Sequence, residues 1–314
     1  MRLLPRFIPD DTHIPFMSRR FFAVGGSLTA VVVSILLVAI LGLNFGIDFR
    51  GGTLVEVRTT GPADLGRMRQ ILGGLDLGEV QLQNFGAEND VLIRFEKQLD
   101  DPQAQQQLVE DVQKALREYD PGIEFRRVEY VGPKVSRELL RDGVLAVLLA
   151  VFLVLIYIWF RFEWQFGAGA VVALVHDVVI TIGAFAVTQY EFNLSTVAAL
   201  LTIVGYSLND TVIVYDRIRE NLRRYKAMPL EELIDRSINE TLSRTIMTSF
   251  TTLLALLALY IFGGEVIRSF TFAMIFGIFV GTYSSIYIAA PILIWFNLRA
   301  GVTREEGAAA AARP

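Results

Sequence analysis

The sequence has no cysteine and only two histidines, His13 and His176. Disulfides, thiolate metal sites and a cysteine nucleophile are therefore excluded, and any part outside a membrane must hold together by its core alone. No nucleophile and base stand together and no phosphate-binding loop is present, so neither a hydrolase nor an ATPase has residues to work with. Charge is scarce too: 20% of the 314 residues are charged, 53% are hydrophobic and the mean hydropathy is +0.45. That balance is too apolar for a soluble domain and marks an integral membrane protein. The net charge of −4 says little, because its distribution across the bilayer matters more than its sum.

Residues 1–20 carry Arg2, Arg6, Arg19 and Arg20 ahead of an apolar run at 21–43. The run is long enough for a hydrocarbon core of about 30 Å and no small-residue cleavage site follows, so it reads as a retained first span with a free, cytoplasmic N-terminus. Residues 44–141 are soluble in character and are expected on the periplasmic side. Strand-like alternation at 53–60, 80–85, 91–95 and 123–131, with helical spacing at 62–75 and 103–119, gives the order β-α-β-β-α-β of a ferredoxin-like α+β domain. Residues 142–298 supply five further spans, at about 144–160, 167–188, 194–215, 245–262 and 270–298, so the fold is a polytopic α-helical membrane protein with six transmembrane helices. The loop 216–243 carries Arg217, Arg219, Arg223, Arg224, Lys226 and Arg236, whereas 189–193 has no basic residue, which places both termini in the cytoplasm. Residues 229–242 read as a short amphipathic helix along the cytoplasmic face, Pro291 as a kink in the last span, and the alanine-rich tail 299–314 as disordered. No internal duplication is visible in the six helices; a single set of this kind looks like half of a machine.

Three places carry candidate chemistry. Asp210 lies in the fourth span, about 9 Å from its cytoplasmic end, and an ionisable group there is a functional candidate by default. It is either an interfacial carboxylate hydrated from the cytoplasm or, sharing a face with Ile203, Ser207 and Val214, one that points into the bundle. Asn209 stands beside it. Arg244 opens the next span with Thr248 and Thr252 on its face; it is either a snorkelling helix-end arginine or a partner at the depth of Asp210. Asp177 lies in the third span with Thr181 at i+4, while His176, about 100° away around the helix, is not expected to pair with it. Gly51, Gly52 and Gly132 flank the soluble domain, as hinges or as simple turn residues.

Several segments together resemble the smaller subunit of the SecD/SecF family of bacterial protein-export membrane proteins, within the RND superfamily. They are Gly46-Ile47-Asp48-Phe49-Arg50-Gly51-Gly52, the stretch VEYVGPKV at 128–135, His176-Asp177, the stretch 205–221, and NETLSRTIMTSF at 239–250. Ser136 departs from the glycine expected after the VGP turn. The resemblance implies a bacterial inner-membrane location and a partner, SecD, with a matching six-helix half. It further implies a drive from the proton gradient with no cofactor, and Asp210 and Arg244 on the proton pathway between the halves. The implied partners are completed by the Sec translocon channel, an unfolded exported polypeptide as client and the lipid bilayer, with no nucleic acid.

Low dielectric favours the neutral carboxyl and a nearby guanidinium favours the carboxylate, so a helix shift between Asp210 and Arg244 would switch the proton on and off. The motion is expected to reach the soluble domain through 45–52 and 132–138. Two other readings stand: a non-transporting scaffold of the Sec channel, whose polar residues serve helix association, and a homo-oligomeric RND-type exporter.

Overall fold

The structure, a computed structural model, describes residues 12–97, 99, 101–296 and 298. Arg2, Arg6 and the tail expected to be disordered lie outside the described residues. A short 3₁₀ turn, Met17–Arg19, leads into α1 (Arg20–Leu41), which ends at Gly42. One helical turn, α2 (Ile47–Arg50), then delivers the chain to the soluble domain: β1 (Gly52–Arg58), α3 (Leu65–Gly73), β2 (Val80–Phe85), β3 (Ala87–Phe95), α4 (Pro102–Tyr119) and β4 (Glu124–Val131). The sheet order is β2-β3-β1-β4 with every pair antiparallel, as the split βαβ pattern requires.

Local chemistry sets these elements. Asp64 caps α3 by accepting from the Arg67 N–H at 3.0 Å, and Asp101 caps α4 with Pro102 in the first helical turn. The β2–β3 turn is tighter than the expected 86–90: Gly86, at φ +88°, makes it, and β3 starts at Ala87. One face of the sheet is apolar at alternate positions. Val55, Val57, Val91, Ile93 and Phe95 meet Met68 and Leu72 of α3 and Val112 and Leu116 of α4 in a closed core. Arg58 donates two bonds of 2.6 Å to Asp90 across the β1–β3 pair, and these hold the Asp90 carboxyl below the usual carboxylate range against the opposing effect of burial.

The membrane part is α5 (Pro133–Arg161), α6 (Trp164–Thr188), α7 (Leu194–Arg224), α8 (Leu230–Phe262), α9 (Arg268–Ser284), a π-helical turn (Ser285–Ala289) and α10 (Ala290–Trp295). Six helices, counting α1 and taking α9 through α10 as one, are long and apolar enough to cross a membrane. In the most apolar stretch of α6, α7 and α9–α10 about half the residues are buried (50–56%), against 11–17% in α1, α5 and α8. The former three are the centre and the latter three the rim.

Two expectations need correction. Pro133 starts α5 directly after Gly132, so residues 133–138 are helical and not a flexible connection. The amphipathic segment 229–242 is not a separate surface helix. It forms the first turns of α8, since no glycine or proline interrupts the chain at Ser243-Arg244 and a helix once nucleated propagates. Its apolar residues Leu233, Ile234, Ile238 and Leu242 are buried with Ile218 and Leu222 of α7, which likewise runs on past Tyr215 to Arg224. Pro291 follows directly on the π turn, where the Tyr215 hydroxyl of a neighbouring helix donates to the Ala289 carbonyl at 3.0 Å.

Two outcomes follow for the soluble domain. Leu72→Ala, in a fully buried position, should lower its stability by about 2–5 kcal/mol, read as faster amide exchange in β1 and β3 with the central helices unchanged. A carboxyl whose folded pKa is depressed stabilises above its unfolded pKa and loses that contribution as pH falls through the folded value. Domain stability should therefore drop below pH about 4, and Asp90→Asn should flatten that step in acid titrations followed by exchange.

Candidate functional site

Asp177 and Asp210 are both fully buried in the helix bundle, and they are treated in opposite ways. The Asp177 carboxylate accepts from His176 Nδ1 at 2.9 Å on one oxygen, and from Ser207 Oγ at 2.6 Å and Ser284 Oγ at 2.8 Å on the other. Three central elements, α6, α7 and α9, thus meet at one side chain. The approach is close: a Cβ added at Gly281 of α9 would lie 3.0 Å from Ser207 Cβ. Asp210 sits one turn further along α7, buried on the same face as Ile203, Ser207 and Val214. Among the described residues neither of its carboxylate oxygens has a hydrogen-bond partner. A buried charge without a partner costs several kcal/mol, and no contact among the described residues offsets that cost at Asp210.

The available cation is Arg244. It is exposed on α8, close enough for its charge to act on Asp210, yet it makes no ion pair with it. Thr248 is half-buried, and its hydroxyl bonds back to the carbonyls of Arg244 and Thr245 at 3.1 and 2.9 Å. Thr245, buried in the same turn, leaves its hydroxyl oxygen unpartnered. Asn209 is exposed. It belongs to a stripe on α7, with Ser195, Ala198, Thr202 and Gly205, that is small or polar and uncovered. Arg244, Thr251, Ala255 and Ala258 are likewise uncovered on α8.

Two readings of the third span change. His176 and Asp177 do pair, because adjacent side chains 100° apart still meet when an imidazole bends toward a carboxylate. Thr181 bonds the Asp177 backbone carbonyl at 2.7 Å and not its carboxylate. Ser284 was missed altogether; the Ser284-Ser285 pair inside an apolar span was the signal for it.

A second constellation lies where the soluble domain meets the helices. Gly51 and Gly52 have φ of +75° and +112°, and a Cβ on Gly52 would lie 2.6 Å from the Phe95 carbonyl, so both are required by backbone shape. Gly132, at φ −68°, is an ordinary helix N-cap. What holds this connection is the loop 189–193, which in the sequence stands out only for its lack of basic residues. Gly46 N–H donates to the Phe192 carbonyl at 3.0 Å, and Phe192 N–H to the Asn44 carbonyl at 2.7 Å. Asp48 accepts from the Leu194 N–H at 2.8 Å, capping the start of α7, and Arg94 of β3 pairs with Glu191 at 3.1 Å. Burial pushes the Glu191 carboxyl up, opposed by Arg94 and reinforced by Asp48. A cavity of about 650 Å³ opens beside this clasp, lined by Asp48, Arg127, Glu129, Glu191 and Arg268 among others.

Comparison with known proteins identifies the architecture. The family model described as protein export membrane protein SecD/SecF, C-terminal, matches residues 111–299, and that of the SecD/SecF GG motif matches residues 36–63. The chain belongs to the SecD/SecF family. Protein translocase subunit SecF of Rickettsia bellii is 49% identical over 298 residues, covering 94% of this chain and 98% of the relative. That of Rhodobacter capsulatus is 47% identical, covering 93% and 92%. The crystal structure of a Thermus SecDF, described as a translocon-associated membrane protein, superposes with a TM-score of 0.85 at 36% identity over 94% of this chain. SecDF in a super-membrane-facing form gives 0.68 at 34% identity over 96% of it. The chain spans about 40% of these SecDF chains. It is a SecF-like protein-export subunit and a multi-pass membrane protein.

The two buried carboxyls should respond differently to substitution. Asp177→Ala strands two hydroxyls and an imidazole, and since hydrogen bonds to a charged group contribute about 1.5–3 kcal/mol each, it should markedly lower the unfolding temperature of the purified chain. Asp210→Asn removes no hydrogen-bond partner and should leave that temperature within a degree or two.

Proposed function

We propose that this SecF-like subunit, with a SecD partner, uses the proton motive force to promote protein export through the Sec channel, and that Asp210 is its proton-carrying group. The observation that carries this reading is the unpartnered, fully buried carboxyl of Asp210 next to an uncovered polar seam. Lipid is a poor neighbour for Asn209, Arg244 and Thr251, and a matching six-helix half laid on the α7 and α8 stripes would close the seam around Asp210. In that setting Arg244 and Thr248 line the proton pathway with Asn209, and Asp177 orders it by fixing α7 against α6 and α9. The basic residues at the end of α7 and the start of α8 support the orientation: both termini and these helix ends in the cytoplasm, residues 44–141 in the periplasm, the whole in the bacterial inner membrane.

The coupling runs along α7 itself. Its cytoplasmic half bears Asp210, and its periplasmic start is capped by Asp48, from the connection that carries the soluble domain. A change of charge at Asp210 that shifts α7 therefore pulls on the domain directly. One proton moving down about 150 mV releases about 3.5 kcal/mol, enough to invert a two-state equilibrium of a few kcal/mol. The domain would pass that motion to an unfolded client leaving the Sec channel. Protons are the coupling ion, and the reading assigns no hydrolytic step and no cofactor.

The test is gradient-dependent export in vesicles containing this chain, its SecD partner and the Sec channel. With Asp210→Asn, export should lose its response to the proton gradient at equal abundance of the assembled complex, and Arg244→Gln should weaken it at least tenfold. A variant that responds as wild type would make Asp210 structural and the chain a scaffold.

A further inference from the structure

Away from the soluble domain, the last turns of α5 and α7 come together around a groove of about 460 Å³ lined by Arg161, Asp216, Arg219, Glu220, Arg223 and Arg224. Its two acids are already matched: Asp216 is paired with Arg161 at 2.9 Å and Glu220 with Arg217. The remaining guanidiniums are not. Arg219 donates to the Arg161 backbone carbonyl at 3.4 Å, Arg224 lies over the Tyr225 ring at 5.3 Å, and Arg223 has no partner among the described residues. Three guanidiniums from one helix, Arg219, Arg223 and Arg224, thus line one concavity without a carboxylate paired to them, beside the Arg161–Asp216 pair. A preference for basic residues on one membrane side explains their side. It does not explain why they converge on a groove.

We propose that this groove binds the phosphate of an anionic phospholipid headgroup. Guanidinium groups in a fork are the side chains suited to phosphate oxygens. The soluble alternative is a free phosphate ion, which shares the same recognition chemistry. The lipid is favoured by what precedes Arg161 in α5: Trp159 and Phe160, on the turn that ends in it, are 70% and 90% exposed. Aromatic side chains of that exposure at the end of a membrane-crossing helix mark the level of the headgroups, and the acyl chains would lie along them. Asp216, the first residue of α7 past its apolar stretch, is tied to Arg161, so the mouth of the groove is at that same level. Basic recesses between helix ends are a known geometry for anionic headgroups. A lipid held there would bridge α5 and α7, the helix that carries Asp210.

The full chain purified in neutral detergent would be titrated with phosphatidylglycerol or with phosphatidylcholine of the same acyl chains, and the adducts counted by native mass spectrometry. Wild type should bind phosphatidylglycerol at least tenfold more tightly. Each basic residue near an anionic headgroup contributes about fivefold, so Arg219→Gln with Arg223→Gln should cut phosphatidylglycerol affinity roughly twenty-five-fold and so remove a tenfold preference. Arg219→Lys with Arg223→Lys, which keeps the charge, should retain most of it and shows that the positions tolerate change. Inorganic phosphate at millimolar concentration should not displace the lipid. Equal binding of the two lipids by wild type, unchanged preference in the glutamine variant, or displacement by inorganic phosphate would each overturn the assignment.

Discussion

A single carboxylate organises the membrane part of this protein. Asp177 takes one imidazole and two hydroxyl donors from its own helix and two neighbours, in a layer where Ser207 and Gly281 leave no space between α7 and α9. Inside a bilayer such a charge is tolerated only when its hydrogen bonds are made within the protein. Making them forces α6, α7 and α9 into one register, so the remaining helices are arranged around a fixed unit.

Against that fixed unit, Asp210 stands out because no hydrogen bond among the described residues holds its carboxyl. The same helix presents Ser207 to Asp177 and, one turn later, a carboxyl with two free oxygens. One acid is held by three donors from two neighbouring helices and its own, and the other by none among the described residues. Arg244 belongs to α8, which is welded to α7 at the far end through Asn221, Ser237 and Glu240 but is sparsely buried along its apolar length. Relative movement between α8 and the central unit would change the distance between the arginine and the acid without breaking the Asp177 contacts. At the domain end, the Asp48 cap and the Arg94–Glu191 pair join the soluble domain to the start of α7. One helix therefore links the buried acid to the domain.

The ferredoxin-like domain was legible because period-2 and period-3.6 patterns are local signals that tertiary contacts here do not override. The six spans were legible for the same reason, through length and hydropathy. The ends of α7 and α8 were not. Residues 216–243 read as a polar loop with a surface helix at 229–242, yet 216–224 and 230–242 extend the spans as a packed helical pair because their apolar residues face each other. The His176–Asp177 contact and the role of Ser284 were also hidden, since spacing along one helix says nothing of what a second helix brings to the same point.

The sequence alone determined that this is a six-span membrane protein with a small α+β domain after the first span, and it singled out Asp210 and Arg244. Composition and periodicity are properties of the chain, and an ionisable residue in an apolar run is visible without coordinates. Only the tertiary structure decided which acid is satisfied and which is bare, that the domain is clasped by the loop 189–193, and that the arginines of α5 and α7 share a groove. Each of those depends on which residues distant in the chain arrive within hydrogen-bond or charge range of one another, and that is set by how the helices pack.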